Sequence, residues 1–226
     1  PVGGAVVDVP LNEYLGKTKT FKHCHKQFSV GVDFGVSAIL LIDPYFLGVW
    51  LGDGSKSVGP CGLLGISISK PDPEIRELCE RTAGEWGLTV RTDYSGTCPT
   101  HHLVSHVREG SHVANYLLRA IRAALGDELR IGHEYLTAPR AARLQLLAGF
   151  LDTDGYLHRS GFEIVQKRRD YADAVAYLAR SVGLRAIASV KIVNGETYHR
   201  LSISGDCSII PTRIPRKQAA PRQQIK

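Results

Sequence analysis

Apolar and polar positions along the chain fall into two passes of the same order. The run "YFLGVWLGDG", Tyr45 to Gly54, is apolar and helix-like until it ends in one carboxylate and a glycine. Nearly the same phrase, "LLAGFLDTDG", returns at Leu146 to Gly155. In the first pass Asp43 is a candidate N-cap and Pro44 a candidate first helical residue, where the missing N–H costs nothing. This helix is expected to run to about Gly52. A strand pair containing "GLLGISIS" follows. Asp72 then caps a second helix, "PEIRELCERTAGEWG", which stops at Gly87 as a left-handed cap. "LTVRTD" and "HHLVSHV" read as short strands. "HVANYLLRAIRAAL" reads as a third helix, with Ser111 before it and Gly126 after it.

The second pass repeats the order. Pro139 opens a helix through about Thr153, the strand "GFEIVQK" follows, and the helix "YADAVAYLARSV" stops at Gly183. "LRAIASVKIV" and "TYHRLSIS" are strands joined by "NGE", an Asn-Gly hairpin signal. Asp53 and Asp154 are 101 positions apart, and Gly87 and Gly183 are 96 apart. One unit of about a hundred residues is used twice. The chain divides into an arm or connection at 1–42, a first repeat at 43–138, a second at 139–210 and a basic connection at 211–226.

Composition adds boundaries. The 226 residues suffice for one large domain or two small ones. The chain begins at Pro1 and contains no methionine, which suggests an excised internal piece. Five scattered cysteines argue against a disulfide framework and suit a reducing compartment. No secretion signal is visible, and the longest apolar stretch, Val36 to Leu51, is broken by Asp43 and Pro44, so no membrane span is expected. The net charge of +6 leans toward a polyanion. The last 16 residues hold Arg213, Arg216, Lys217, Arg222 and Lys226 and no acid.

The two repeated aspartates carry the chemistry. A carboxylate at a helix C-terminus meets the negative end of the helix dipole, at a cost of up to about 1 kcal/mol. Two such helices packed side by side bring Asp53 and Asp154 together, which forces protonation or calls for a cation. Mg²⁺ resolves the conflict, since it takes carboxylate and carbonyl oxygens with waters and phosphate. The terminal carbonyls of Gly52 and Thr153 point toward the same place. Gly48 matches Gly149, with Ala148 beside it, and small residues permit close helix approach.

"LAGFLDTDG" closely resembles the LAGLIDADG signature of homing endonucleases, and "FLGVWLGDG" resembles the divergent first copy common in inteins. The wider phrases "VDVPLNEYL", "DPYFLGVWLGDG", "RLQLLAGFLDTDG" and "LSISGDCSIIPTRIPRKQA" are similar to the endonuclease insert of inteins in the fungal spliceosomal pre-mRNA-processing factor. The resemblance implies an α+β fold of two αββαββα repeats related by a pseudo-two-fold axis, with a β saddle on double-stranded DNA. It implies Asp53 and Asp154 on Mg²⁺, with Mn²⁺ as a possible substitute, a staggered break at a long asymmetric site, a nuclear location, and a monomer whose parent chain carries a flanking splicing module. Gln166 and, by the repeat offset, Lys70 fall where the family contacts the attacking water or phosphate. Lys167, Arg168 and Arg169 would face DNA, as would Arg213 and Arg216. Lys217 in "TRIPRK" fills the family's lysine position after the last helix. In the first repeat Leu129 stands there and only Arg130 is near, and arginine hardly gives up a proton. This departure keeps a second reading open, a decayed or maturase-like nucleic-acid-binding module. A third is a structural insert of the intein. Cys98, His101, His102 and His106 could ligate zinc, but their spacing matches no familiar site. Asp152 has no acidic counterpart in the first copy, where Leu51 stands, and reads as structural.

Overall fold

The computed structural model describes residues 7–25, 29–35, 39–59 and 62–221. Two short helices, α1 (Leu11–Gly16) and α2 (Lys19–Cys24), come first and bury no residue. The central helix α3 (Pro44–Asp53) begins where Asp43 accepts the Phe46 N–H at 2.8 Å with Pro44 in the first turn. Every residue from Tyr45 to Leu51 is buried, as suits a helix apolar on all sides.

A broken hairpin follows. Strands β1 (Val58–Gly59) and β2 (Gly62–Leu63) pair, the chain resumes as β3 (Ser67–Ser69), and Ser55 N–H donates to Ser67 O at 2.9 Å. Helix α4 (Pro73–Glu85) then leads to β4 (Thr89–Asp93) and β5 (Thr100–Val104). Strands β6 (Arg108–Glu109) and β7 (His112–Val113) form a small hairpin before α5 (Tyr116–Leu125) and α6 (His133–Leu136). The expected start of α5 is therefore corrected. The turn at Gly110 (φ +64°) pairs His112 and Val113 as strand, and Asn115, not Ser111, caps the helix by accepting the Leu118 N–H.

The second half opens with α7 (Arg140–Asp154), then β8 (Tyr156–His158), β9 (Gly161–Gln166) and α8 (Arg169–Ser181). The hairpin β10 (Arg185–Val193) and β11 (Glu196–Ser204) turns at Asn194 and Gly195, both at positive φ, as an Asn-Gly pair permits. The sheets are antiparallel, ordered β3-β5-β4 in the first half and β10-β11-β9-β8 in the second. Since β3, β5 and β4 correspond to β9, β11 and β10, both halves wind the same way. The second half does not close with an α-helix. Two 3₁₀ turns, Cys207–Ile209 and Pro215–Lys217, replace it, where Pro211 and Pro215 withhold N–H groups.

Helices α4, α5 and α8 each bury one apolar stripe, including Ile75 and Leu78, Leu117 and Ile121, and Tyr171 and Val175. Strand alternation sends Ile68, Leu103, Phe162, Ile164, Leu201 and Ile203 into the same core. The other face of the second sheet carries a cross-strand row of Tyr156, Glu163, Ser202 and Ile187, and the other face of the first carries Ser67, His102 and Arg91.

The flanking segments pack onto this body. Val32 N–H donates to Ser181 O at 2.8 Å, and Tyr135 Oη bridges the Ile42 backbone, accepting its N–H at 3.0 Å and donating to its carbonyl at 3.2 Å. At the other end Thr212, Ile214 and Lys217 are buried, so residues 211–221 lie against the core. Arg222 and Lys226 lie outside the described residues.

Candidate metal and nucleic-acid site

The site stands on the seam between α3 and α7. A Cβ on Gly48 would lie 2.3 Å from Leu146 O, and one on Gly149 would lie 2.3 Å from Tyr45 O. The two glycines oppose each other reciprocally, which lets backbone touch backbone. One turn on, a Cβ at Gly52 would lie 1.9 Å from Thr153 Oγ1. The paired phrases "GDG" and "TDG" thus end at one place. The glycine after each aspartate is required by close approach. In extended conformation the chain doubles back over the last helical turn, and a Cβ on Gly54 or Gly155 would meet Trp50 O at 2.2 Å or Leu151 O at 2.6 Å.

Both aspartates stand at the helix ends, partly buried. Asp53 Oδ2 lies 2.6 Å from Lys70 Nζ, an ion pair without hydrogen-bond alignment, and this buried oxygen has no hydrogen-bond partner. Lys70 Nζ also donates to Thr153 O at 2.9 Å, which ties the two halves together across the seam. Asp154 Oδ2 accepts a hydrogen bond from Gln166 Nε2. Burial, then the charge of Asp53, raises the Asp154 pKa above the ordinary carboxylate range, against the Gln166 bond and the charges of Lys56 and Lys70. The structure therefore brings Asp53, Asp154, Lys70, Gln166 and Lys217 to one pocket.

The helix-end carbonyls expected to face a metal are held by lysines. Lys217 Nζ donates to Leu151 O, Asp152 O and Thr153 O at 3.0, 2.7 and 3.0 Å. Lys56 Nζ donates to Trp50 O, Gly52 O and Gly54 O at 3.3, 3.1 and 2.9 Å. Burial lowers the pKa of each ammonium to about 8. Sequence reasoning passed over Lys56. Its signal was the fixed offset of four residues from Gly52, within reach of a helix end.

Several basic residues assigned to DNA make contacts within the protein. Arg168 pairs with Asp170, donates to Glu128 O and lies over the Tyr171 ring. Arg213 stacks at 3.6 Å from the Tyr45 ring centroid, and Arg216 forms a two-pronged pair with Asp72, one prong at 2.8 Å. That pairing takes the carboxylate expected to cap α4, which makes no cap bond. Lys167 pairs with Glu196, and Arg169 lies 3.5 Å from Asp173; both remain exposed. Asp152 is fully buried and anchors the C-terminal segment, accepting from Tyr45 Oη at 2.7 Å and from the Arg213 and Ile214 N–H groups. His101 contacts Thr92 Oγ1 and Lys70 O, while His106 contacts Thr89.

No cluster of three or more His, Cys, Asp or Glu exists among the described residues. The two carboxylates that do converge suit a hard divalent cation completed by water and phosphate. The buried Asp53 oxygen, which accepts no hydrogen bond and faces only the Lys70 charge, and the mutual repulsion of the two carboxylates fit such an ion.

Comparison with known proteins agrees with this fold. Residues 141–210 match a LAGLIDADG-like domain. The chain is 34% identical over 158 residues to replicative DNA helicase DnaB of Mycobacterium intracellulare, covering 69% of this chain and 21% of the helicase. It is 27% identical over 181 residues to a DNA polymerase of Thermococcus litoralis, covering 76% of this chain and 10% of the polymerase. The chain thus spans about a fifth or less of these relatives. Among solved structures, I-DmoI in complex with DNA and Mn superposes with a TM-score of 0.52 at 13% identity, covering 74% of this chain and 91% of that one. I-DmoI with DNA and Ca gives 0.51 at 14% identity, covering 73% and 83%. The fold is the LAGLIDADG homing endonuclease fold, mixed α+β with antiparallel sheets.

Proposed function

We propose that this chain is a site-specific double-stranded DNA endonuclease, carried as the endonuclease insert of an intein, that hydrolyses phosphodiesters with Mg²⁺ or Mn²⁺. One observation carries the reading. Two aspartates end the two glycine-packed helices of a pseudo-dimer, close enough that one disfavours ionisation of the other. Similarity to a helicase and to a polymerase, over so little of either, is what a portable unit carried in unrelated hosts would give. This supports insertion in a host protein. The flanking phrases suggest a fungal spliceosomal host and a nuclear location.

In this reading Asp53 and Asp154 would hold the metal, with Gly52 O and Thr153 O at the same helix ends as further oxygen donors. The metal, when bound, activates water and steadies the leaving oxygen. Gln166 orients Asp154 and donates to the attacking water. Lys70 holds Asp53 until a cation or phosphate takes its place, and Lys217 offers a positive charge beside the second scissile phosphate. The exposed sheet faces lie along the duplex as paired strands in the major groove. Because the halves differ in sequence, one chain reads an asymmetric site and acts as a monomer.

The test incubates plasmid carrying the host coding sequence, with the intervening segment removed, with protein and Mg²⁺. Linear product that disappears in Asp53→Asn and Asp154→Asn supports the reading. Salt-sensitive binding without cutting supports the decayed module instead, a reading favoured by the lysine-filled carbonyls. Absence of binding leaves a structural insert.

A further inference from the structure

The two halves reach the same local chemistry by different routes through the chain. At the C-terminus of α7 an ammonium from Lys217, distant in sequence, sits in a cup of three carbonyls. At the C-terminus of α3 an ammonium also sits in a cup of three carbonyls, but it comes from Lys56, in the short segment between α3 and β1. The position in the first half that corresponds to Lys217 cannot supply a charge there. Leu129 has φ +53° and is 6% exposed, with its side chain in the core and its carbonyl accepting from Tyr171 Oη at 2.9 Å. Arg130 is exposed and pairs with Glu128 at 2.6 Å.

We propose that Lys56 is the first half's counterpart of Lys217, a positioning residue that sets the end of α3 and the charge beside Asp53. The inference rests on the endonuclease reading above. Two observations support it independently of sequence position. Its ammonium bonds the carbonyls on both sides of Asp53, those of Gly52 and Gly54, so it fixes that carboxylate's backbone. It lies 5.6 Å from the centroid of the buried Trp50 ring, which holds the stem in place. A solvated surface lysine would show neither of these.

The experiment compares wild type with Lys56→Met, Lys56→Arg and Lys217→Met on duplex target labelled on either strand, and measures Mn²⁺ binding to each protein without DNA. Lys56→Met is expected to slow hydrolysis of one strand at least tenfold and Lys217→Met the other, so each variant accumulates the opposite nick. Without DNA, Lys56→Met is expected to bind Mn²⁺ severalfold more tightly, because a competing cation has left the pocket. Lys56→Arg, which keeps the charge, is expected to stay near wild type in that measurement. If Lys56→Met does not fold, Lys56→Gln, which can still donate to Gly52 O, takes its place. Equal slowing of both strands, or unchanged Mn²⁺ affinity, overturns the proposal while leaving the endonuclease reading intact. A wild type that neither binds Mn²⁺ nor cuts overturns both.

Discussion

Replacing Gly48 by alanine tests the geometry on which the site depends. The added methyl would lie 2.3 Å from Leu146 O and 3.0 Å from both Gly149 Cα and Phe150 N, where ordinary contact begins at 3.4 Å. All three obstacles are helix backbone, so α3 and α7 must separate by roughly 1 Å or tilt apart. Overpacking of this kind costs about 3 kcal/mol, against about 1 kcal/mol regained from helix propensity. The net loss of about 2 kcal/mol corresponds to a fall in Tm of about 4–8 °C for a chain of this size. Gly84→Ala is the internal control. It lies on the exposed side of α4, where an added methyl meets nothing within 4 Å, and should stabilise by about 0.5 kcal/mol. Calorimetry or urea unfolding of both variants gives the comparison, and Mn²⁺ titration tests the functional consequence. A displacement of 1 Å at a two-carboxylate site is enough to cost about a hundredfold in rate. If Gly48→Ala melts with wild type or above it, the backbone-to-backbone seam is wrong, and the convergence of Asp53 and Asp154 goes with it.

Asp154→Asn should stabilise the metal-free protein while removing cleavage. The folded pKa of Asp154 is raised, so its ionised form weakens the fold: the penalty is complete above the folded pKa and absent below the ordinary carboxylate value. In EDTA the Tm advantage of Asp154→Asn should therefore be largest near pH 7–8 and vanish toward pH 3; an advantage that grows on acidification would contradict the assignment. Arg143 is fully buried and donates to Ala138 O and Ser181 O at 2.8 Å and to Val32 O, with Phe34 stacked on it. Arg143→Met removes all three of these hydrogen bonds and should cost about 3 kcal/mol, with faster proteolysis near residues 29–35; an unchanged digestion pattern would separate that segment from the core. Arg216→Gln should lower stability by no more than about 1 kcal/mol, because Arg216 is largely exposed although Asp72 is not, and the loss should shrink in high salt.

The sequence determined the repeat, the two central helices and the convergence of their aspartates. Those follow from the pattern: an N-cap with proline behind it for α3, a proline at the start of α7, an apolar run in each, and matched glycines where no side chain fits. The hairpin at Asn194 and Gly195 was legible for the same reason, because one dipeptide dictates the turn. What tertiary structure decided is where long side chains go. Arg168, Arg213 and Arg216 read as free positive charge, yet each is drawn into a partner remote in sequence: Glu128, Tyr45 and Asp72. Asp72 reads as a helix cap, but a guanidinium outcompetes the backbone N–H for it. The start of α5 moved because Gly110 allowed a hairpin that periodicity does not register. Lys56 was passed over for the opposite reason. A helix end exposes carbonyls that accept an ammonium from any direction, and repeat alignment ties a role to a position, whereas the carbonyl cup asks only that a charge arrive.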